Sequence, residues 1–279
     1  MPELFFAFLT LFCWGLKDVL NKRLLAKIDV YSLSLTEYFF AILLMAASLL
    51  LFSKPVFPQG DALLLVLFAS ILGAASILAY FKAVQTSKIG LVFAVSSSFP
   101  LFSVLFSALF LGEPFQNVYL VSLPLILAAL FLLAYRNQGF SIGRGVWLAL
   151  LASISWGAFF TMAKPVALQI NAFNASFFME GGVLIVLAAC FLAFGKKLVF
   201  PPSAELRWFT FFYVVLFAAG VIFGNLSFLA IGVSLTSLIT ATAPALNALM
   251  ARIFLKEKLT KTQYAGIVLL IASLALLSF

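Results

Sequence analysis

Ten long apolar runs divide the chain, near residues 4–24, 31–53, 62–84, 89–111, 117–135, 145–165, 172–195, 207–230, 233–254 and 262–279. A helix rises about 1.5 Å per residue, so each run is long enough to cross a hydrocarbon core of about 30 Å. The runs lack the alternation of barrel strands, and lipid offers no water to an open sheet edge, so the pattern predicts helices throughout. Polar residues gather in short connections. The segment from Gln138-Gly139 to Gly143-Arg144 is the most polar and falls at the middle of the chain, and Pro201-Pro202-Ser203 separates the seventh and eighth runs.

The runs are also written twice. Trp14-Gly15 is followed by Lys22, and Trp156-Gly157 by Lys164, 142 residues later at the same internal spacing. Pro100 precedes Glu113 as Pro244 precedes Glu257, and this second pair is offset by 144. Two unrelated motifs with nearly one offset define a repeat of about half the chain, residues 1–137 and 144–279. Each half holds an odd number of runs, so the two must lie in the membrane in opposite senses. The expected fold is an all-α integral membrane protein of ten transmembrane helices arranged as two inverted five-helix repeats within a single membrane domain.

Composition agrees with this picture and narrows it. The chain of 279 residues is 65% hydrophobic and 9% charged, with a mean hydropathy of +1.21. A soluble domain of this length has nowhere to hide that much apolar surface. The chain opens on acidic Glu3 and enters an apolar run directly, without a basic n-region or cleavage site, so no signal peptide is expected. Cys13 and Cys190 fall inside runs and read as small packing residues. The net charge of +8 does not form a basic stripe with interleaved aromatics, so no nucleic-acid partner is expected.

The basic residues instead mark one face of the membrane. Lys22, Arg23, Lys27, Lys88, Arg136, Arg144, Lys196, Lys197, Arg207, Lys256, Lys258 and Lys261 follow the odd-numbered runs, against Lys54 and Lys164 on the other side. By the positive-inside rule the first set is cytoplasmic, and ten spans then place both termini outside. The Glu113 loop lacks a basic residue, whereas its counterpart Glu257 lies between Lys256 and Lys258, as expected of equivalent loops on opposite faces.

Two copies of Trp-Gly-(six residues)-Lys, each opening a half, resemble the drug/metabolite transporter superfamily and its ten-helix EamA-type members. The later stretches fit as well: Ser96-Ser97-Ser98-Phe99-Pro100 with Leu111-Gly112-Glu113-Pro114, and Ala241-Thr242-Ala243-Pro244 with Leu255-Lys256-Glu257. The resemblance covers essentially the whole chain. It implies two inverted units around a central cavity lined by the third, fourth, eighth and ninth spans, with contributions from the first and sixth. It also implies a multi-pass protein of the inner or plasma membrane that moves small metabolites, often outward. This chain departs from the family by carrying Glu37 where many members have a basic residue, and by its outside termini.

Ionisable groups deep in a membrane are costly and need a reason. Glu180 is the deepest, and Glu37 lies at nearly the matching place in the other half, offset by 143. The pair reads as a coupling site or as recognition of a cation; alternatively Glu180 fixes packing beside Gly181 and Gly182, and Glu37 pairs with nearby lysines. Trp14, Asp18 and Lys22 recur every four residues and share one helical face. Asp18 reads as a cavity residue or as a counter-charge to Lys17 or Lys22. Lys22, Lys164 and Lys82 read as snorkelling to the headgroups.

Hydroxyls concentrate in the fourth and ninth runs around Pro100 and Pro244, where proline frees backbone carbonyls in mid-helix. Ser97, Thr240 and Asn247 there, with Asn225 in the eighth run, are expected to line the cavity. Trp14, Trp156, Tyr80 and Phe81 are expected to wall it. Gly220 and Gly224 read as a helix-packing pair.

These residues point to a secondary transporter of small organic metabolites working by alternating access. Amino acids or related amphipathic compounds, exported, are the first substrate class, with proton coupling through carboxylates because histidine is absent. Cationic metabolites such as choline-like amines are the alternative, and a passive channel is the alternative of another class. Neither a nucleotide-binding motif nor a catalytic or metal-ligand constellation is found, so the protein is not expected to be an enzyme or to use a cofactor or metal. Its expected partners are a small-molecule substrate and the lipid bilayer, with the chain acting as a monomer.

Overall fold

The computed structural model describes residues 2–86, 92, 95–134, 143–195, 197–254 and 259–278. Lys88, Arg136, Gln138, Gly139, Lys196, Lys256, Glu257 and Lys258 lie outside the described residues. The described chain is helical: α1 Phe5–Leu25, α2 Val30–Phe52, α3 Gly60–Thr86, α4 Phe99–Leu111, α5 Asn117–Ala134, α6 Arg144–Ala193, α7 Ala204–Ile231, α8 Val233–Thr240, α9 Ala243–Phe254 and α10 Lys261–Leu277. Polar residues open several of them. Asp29 accepts from the Ser32 N–H at 3.0 Å to cap α2, Ser203 caps α7 through the Leu206 N–H, and Thr260 and Gln263 form a reciprocal capping box at α10.

Among the described residues, five segments are long and apolar enough to cross a membrane: Val30–Phe52, Gly60–Thr86, Arg144–Ala193, Ala204–Ile231 and Val233–Met250. Phe99–Leu111, Asn117–Leu133 and Lys261–Leu277 are apolar but shorter. Helix α1 is long but less apolar, because Lys17, Asp18, Lys22 and Arg23 crowd its second half.

Helix α6 is a hairpin rather than a rod. Asn171 breaks it with φ 65° and ψ 168°. In a straight helix Phe159 and Val183 would stand about 36 Å apart. Yet a Cβ placed on Gly73 would meet both, at 2.6 Å from Val183 and 3.1 Å from Phe159. The chain therefore doubles back at Asn171, and its two arms correspond to the sixth and seventh apolar runs. The turn is fastened to the loop after α2: Asn171 Nδ2 donates to Ser53 Oγ at 3.0 Å. Asn174 Oδ1 accepts from the Val56 N–H at 2.8 Å, and its Nδ2 donates to the Lys54 carbonyl at 3.0 Å.

The fourth and ninth runs are broken, which corrects the expectation of mid-helix prolines. Pro100 is the second residue of α4 and Pro244 the second of α9, where a missing N–H costs nothing. Just before each, the backbone makes the same pair of turn bonds. Ser98 N–H donates to Val95 and Leu101 N–H to Ser98; 144 residues on, Thr242 N–H donates to Ile239 and Ala245 N–H to Thr242. The side chains repeat the pattern, Ser98 Oγ bonding the Val95 carbonyl and Thr242 Oγ1 the Ile239 carbonyl, both at 2.7 Å.

The most extensive helix contacts join α3 to α6, α1 to α7 and α5 to α10, so early helices pack chiefly on late ones. Gly220 lets α7 close on α1, since a Cβ there would lie 2.5 Å from Trp14 Nε1. Large apolar side chains such as Phe39, Leu51, Phe68 and Leu192 stay exposed on the outer faces, the surface a bilayer would cover.

Candidate functional site

A cavity of about 250 Å³ opens between α1, α2, α3, α6, α7 and the break before α4. Along α1 it touches Trp14, Lys17, Asp18, Asn21 and Leu25, one face of the helix over about 16 Å. It therefore starts in mid-span and runs toward the end where α1 meets α2. Tyr80–Trp156, Trp14–Phe160 and Phe99–Phe160 ring pairs, with centroids 5.6, 5.7 and 5.3 Å apart, build its aromatic wall.

The charges face this wall. Lining residues Asp18, Glu37 and Glu180 are acidic, and Lys17 is the single basic one among those described. Glu37 is 4% exposed. Its Oε1 lies 2.6 Å from Lys17 Nζ, and its Oε2 accepts from the Tyr213 hydroxyl at 3.0 Å. The same ammonium stands 4.5 Å over the Phe217 ring and 5.0 Å over that of Tyr213, within cation–π range. Glu180, also 4% exposed, adjoins the Tyr38 side chain and lies within electrostatic reach of Lys17 and Glu37. Its Oε2 has no hydrogen-bond partner among the described residues. Among these residues no group of three or more His, Cys, Asp or Glu could hold a metal ion.

Beyond the deep end of the cavity, a second polar cluster fastens the opposite face. Glu113 Oε1 accepts from Lys164 Nζ at 2.7 Å and from the Val233 N–H at 2.8 Å. Its Oε2 accepts from the Ser234 N–H at 2.9 Å and the Ser234 hydroxyl at 2.7 Å. The carboxylate thus caps the start of α8, whose first N–H groups have no partner within the helix. Gly232 precedes them at φ 87°, and a Cβ there would lie 2.8 Å from Glu113 Oε1. Burial raises the Glu113 pKa, but Lys164 and the Ser234 and Val233 donors outweigh it and hold the carboxyl below its ordinary value. None of these residues lines the cavity.

The family model for EamA-like transporters matches the chain twice, over residues 1–135 and 143–279. The chain belongs to the EamA-like transporter family. A protein described as an uncharacterized transporter from Archaeoglobus fulgidus is 26% identical over 288 residues, an alignment that spans 99% of this chain and 98% of that one. A solved crystal structure matches with a TM-score of 0.83 at 18% identity, covering 99% of this chain and 96% of its own, which shows the fold. This EamA-like protein is accordingly a multi-pass membrane transporter.

Of the candidate residues, Trp14, Asp18, Glu37, Tyr80, Phe81, Ser97, Trp156 and Glu180 line the cavity together. Pro100, Asn225, Thr240, Pro244 and Asn247 are not among its lining residues. Thr240 spends its hydroxyl on the carbonyls of Thr236 and Ser237, and Asn225 donates to Ser176 Oγ at 2.8 Å, tying α7 to α6. The described residues of the ninth span supply no lining residue, and α2 supplies five, a distribution that differs from the one the resemblance implied.

Tyr38, Tyr213 and Phe217 were not singled out by sequence reasoning, and Lys17 was named there only as a counter-charge to Asp18, while Glu37 was read as pairing with nearby lysines, as it does with Lys17. Lys17 carried a signal, an intramembrane charge beside Asp18, but its partner is Glu37. Lys164 does not snorkel: it pairs with Glu113. The signal for that pair was present too, because both residues belong to the duplicated motifs.

Proposed function

We propose that this EamA-like protein is a secondary carrier of small organic metabolites bearing an ammonium group, bound at the acidic, aromatic cavity. One observation carries the reading: among the described residues, three carboxylates meet a single base in a pocket walled by tryptophan, tyrosine and phenylalanine. If all ionise, the surplus of negative charge favours a cation, and ring faces favour the same charge. Amino acids form the second reading, favoured by Lys17, whose ammonium would take a substrate carboxylate while Asp18 or Glu180 took the amino group.

Transport by alternating access fits a cavity that reaches one face while the Glu113 cluster fastens the other. On this reading ten membrane crossings form two inverted repeats, 1–137 and 144–279, in the inner or plasma membrane. The lysine-rich loops would be cytoplasmic and the cavity inward-open, as befits an exporter. Glu180 is the candidate for proton exchange, being buried with one oxygen unpartnered.

Counterflow in proteoliposomes tests the proposal. Liposomes preloaded with unlabelled choline should accelerate uptake of labelled choline, and Glu180→Gln should remove the dependence on a pH gradient. Uptake without acceleration by internal substrate would indicate a pore. Acceleration by neutral or anionic metabolites but by no amine or amino acid would overturn the cationic reading.

A further inference from the structure

Resting on the cationic reading, we infer that Lys17 is a tethered competitor for the substrate: in the empty carrier its ammonium fills the subsite that receives the substrate's cationic head. The cradle around Nζ joins one ion pair to two ring faces. Glu37 Oε1 supplies the counter-charge at 2.6 Å, and the faces of Phe217 and Tyr213 lie 4.5 and 5.0 Å away. The second oxygen of Glu37 is held by the Tyr213 hydroxyl, so the carboxylate is aimed before any ligand arrives. A carboxylate braced by a phenol and flanked by two rings is a receptor for an ammonium ion, and here a side chain of the protein occupies it.

Lys17 has somewhere to go when displaced. Its lysine stem is flexible, and its charge lies within electrostatic reach of Asp18 and Glu180 as well as Glu37. The unpartnered Oε2 of Glu180, itself 4% exposed, offers an ammonium a hydrogen bond that the empty site leaves unmade. An incoming cation would then take Glu37 while Lys17 moved toward Glu180. The exchange turns one buried ion pair into two, cation–Glu37 and Lys17–Glu180, and where Glu180 is protonated in the empty site it gives that proton up as Lys17 arrives, so the entering cation leaves no new charge uncompensated. It also explains how a site rich in carboxylates can stay folded when empty and still release its cargo: Lys17 returns and expels it.

Titration of the detergent-purified, full-length protein with tetramethylammonium tests this, because that probe has charge and size but no hydrogen-bond donor. Lys17→Gln removes the competitor and leaves Glu37 charged, so its affinity should rise about tenfold or more over the natural protein. Lys17→Arg keeps a competitor of the same charge and should bind no tighter than the natural protein. The double variant Lys17→Gln/Glu37→Gln leaves no unpaired charge in the cradle, so it folds even where the single variant does not, and should lose the gain. Equal or weaker binding by Lys17→Gln, or tighter binding by Lys17→Arg or by the double variant, would overturn the inference while leaving the cationic reading intact. Absence of tetramethylammonium binding in the natural protein and in every variant would overturn both.

Discussion

Replacing Glu113 by Gln keeps the shape of the side chain and removes its charge, so it isolates what the carboxylate does for the fold. Four donors converge on its two oxygens at 2.7 to 2.9 Å. An amide can accept on one side only, so two donors must face an NH₂ group. Hydrogen bonds to a charged acceptor contribute roughly 1.5–3 kcal/mol each, and a carboxylate at a helix start adds about 0.3–1 kcal/mol. Such terms overlap, and a net loss of about 3 kcal/mol is expected, near the roughly 3–5 kcal/mol seen when one member of a buried ion pair is removed. Thermal unfolding in detergent reads the loss. Lys164→Met should cost a similar amount, and the double variant less than the sum, with a coupling of about 1–3 kcal/mol. The sign with pH is fixed by the lowered Glu113 pKa. The stabilisation is whole above the ordinary carboxyl value of 4.5 and disappears as pH falls through the lowered value in the fold. Glu113→Gln should therefore flatten the acid limb of the stability profile. Stability within about 0.5 kcal/mol of the natural protein, a spread typical of surface changes, together with an unaltered acid limb would refute the cap.

Two further substitutions probe the framework. Asn171→Ala places an alanine at φ 65° and deletes the hydrogen bonds of the Asn171 side chain to Phe173, Asn174 and Ser53, so stability should drop by about 2–3 kcal/mol; Asn171→Gly should recover the backbone part of that loss in the same melt. Gly220→Val drives a side chain into Trp14, an overpacking expected to cost about 1–3 kcal/mol, and tryptophan fluorescence together with the melting temperature should register the displaced indole.

Much of the helical scaffold was legible because lipid enforces it: long apolar runs without alternation can be little else. The duplication was equally plain, and the paired turn bonds at Ser98 and Thr242 carry it into the backbone. What the sequence could not convey was partnership across the chain. Glu37 and Glu180 were matched by position, and the fold does place both in one cavity. Lys17, however, makes its ion pair with a residue on another helix, and Tyr213 reaches Glu37 from 176 positions away. The hydroxyls around Pro244 looked like a lining because composition alone cannot distinguish a Thr serving a ligand from one serving its own helix. Thr240 and Thr242 do the latter, bonding the carbonyls three and four residues back.

The way early helices lean on late ones has a consequence for biogenesis. While the ribosome is still making the second half, α1, α3 and α5 lack the neighbours they will finally touch, and α1 carries charges whose rings and counter-ions are partly unmade. Lys17 can meet Glu37 early, but Phe217 and Tyr213 arrive only after some two hundred residues have been translated. The nascent amino-terminal half must wait, shielded by lipid or by the insertion machinery, until the second repeat is delivered, and severing the gene at its midpoint should leave two fragments that need each other to fold.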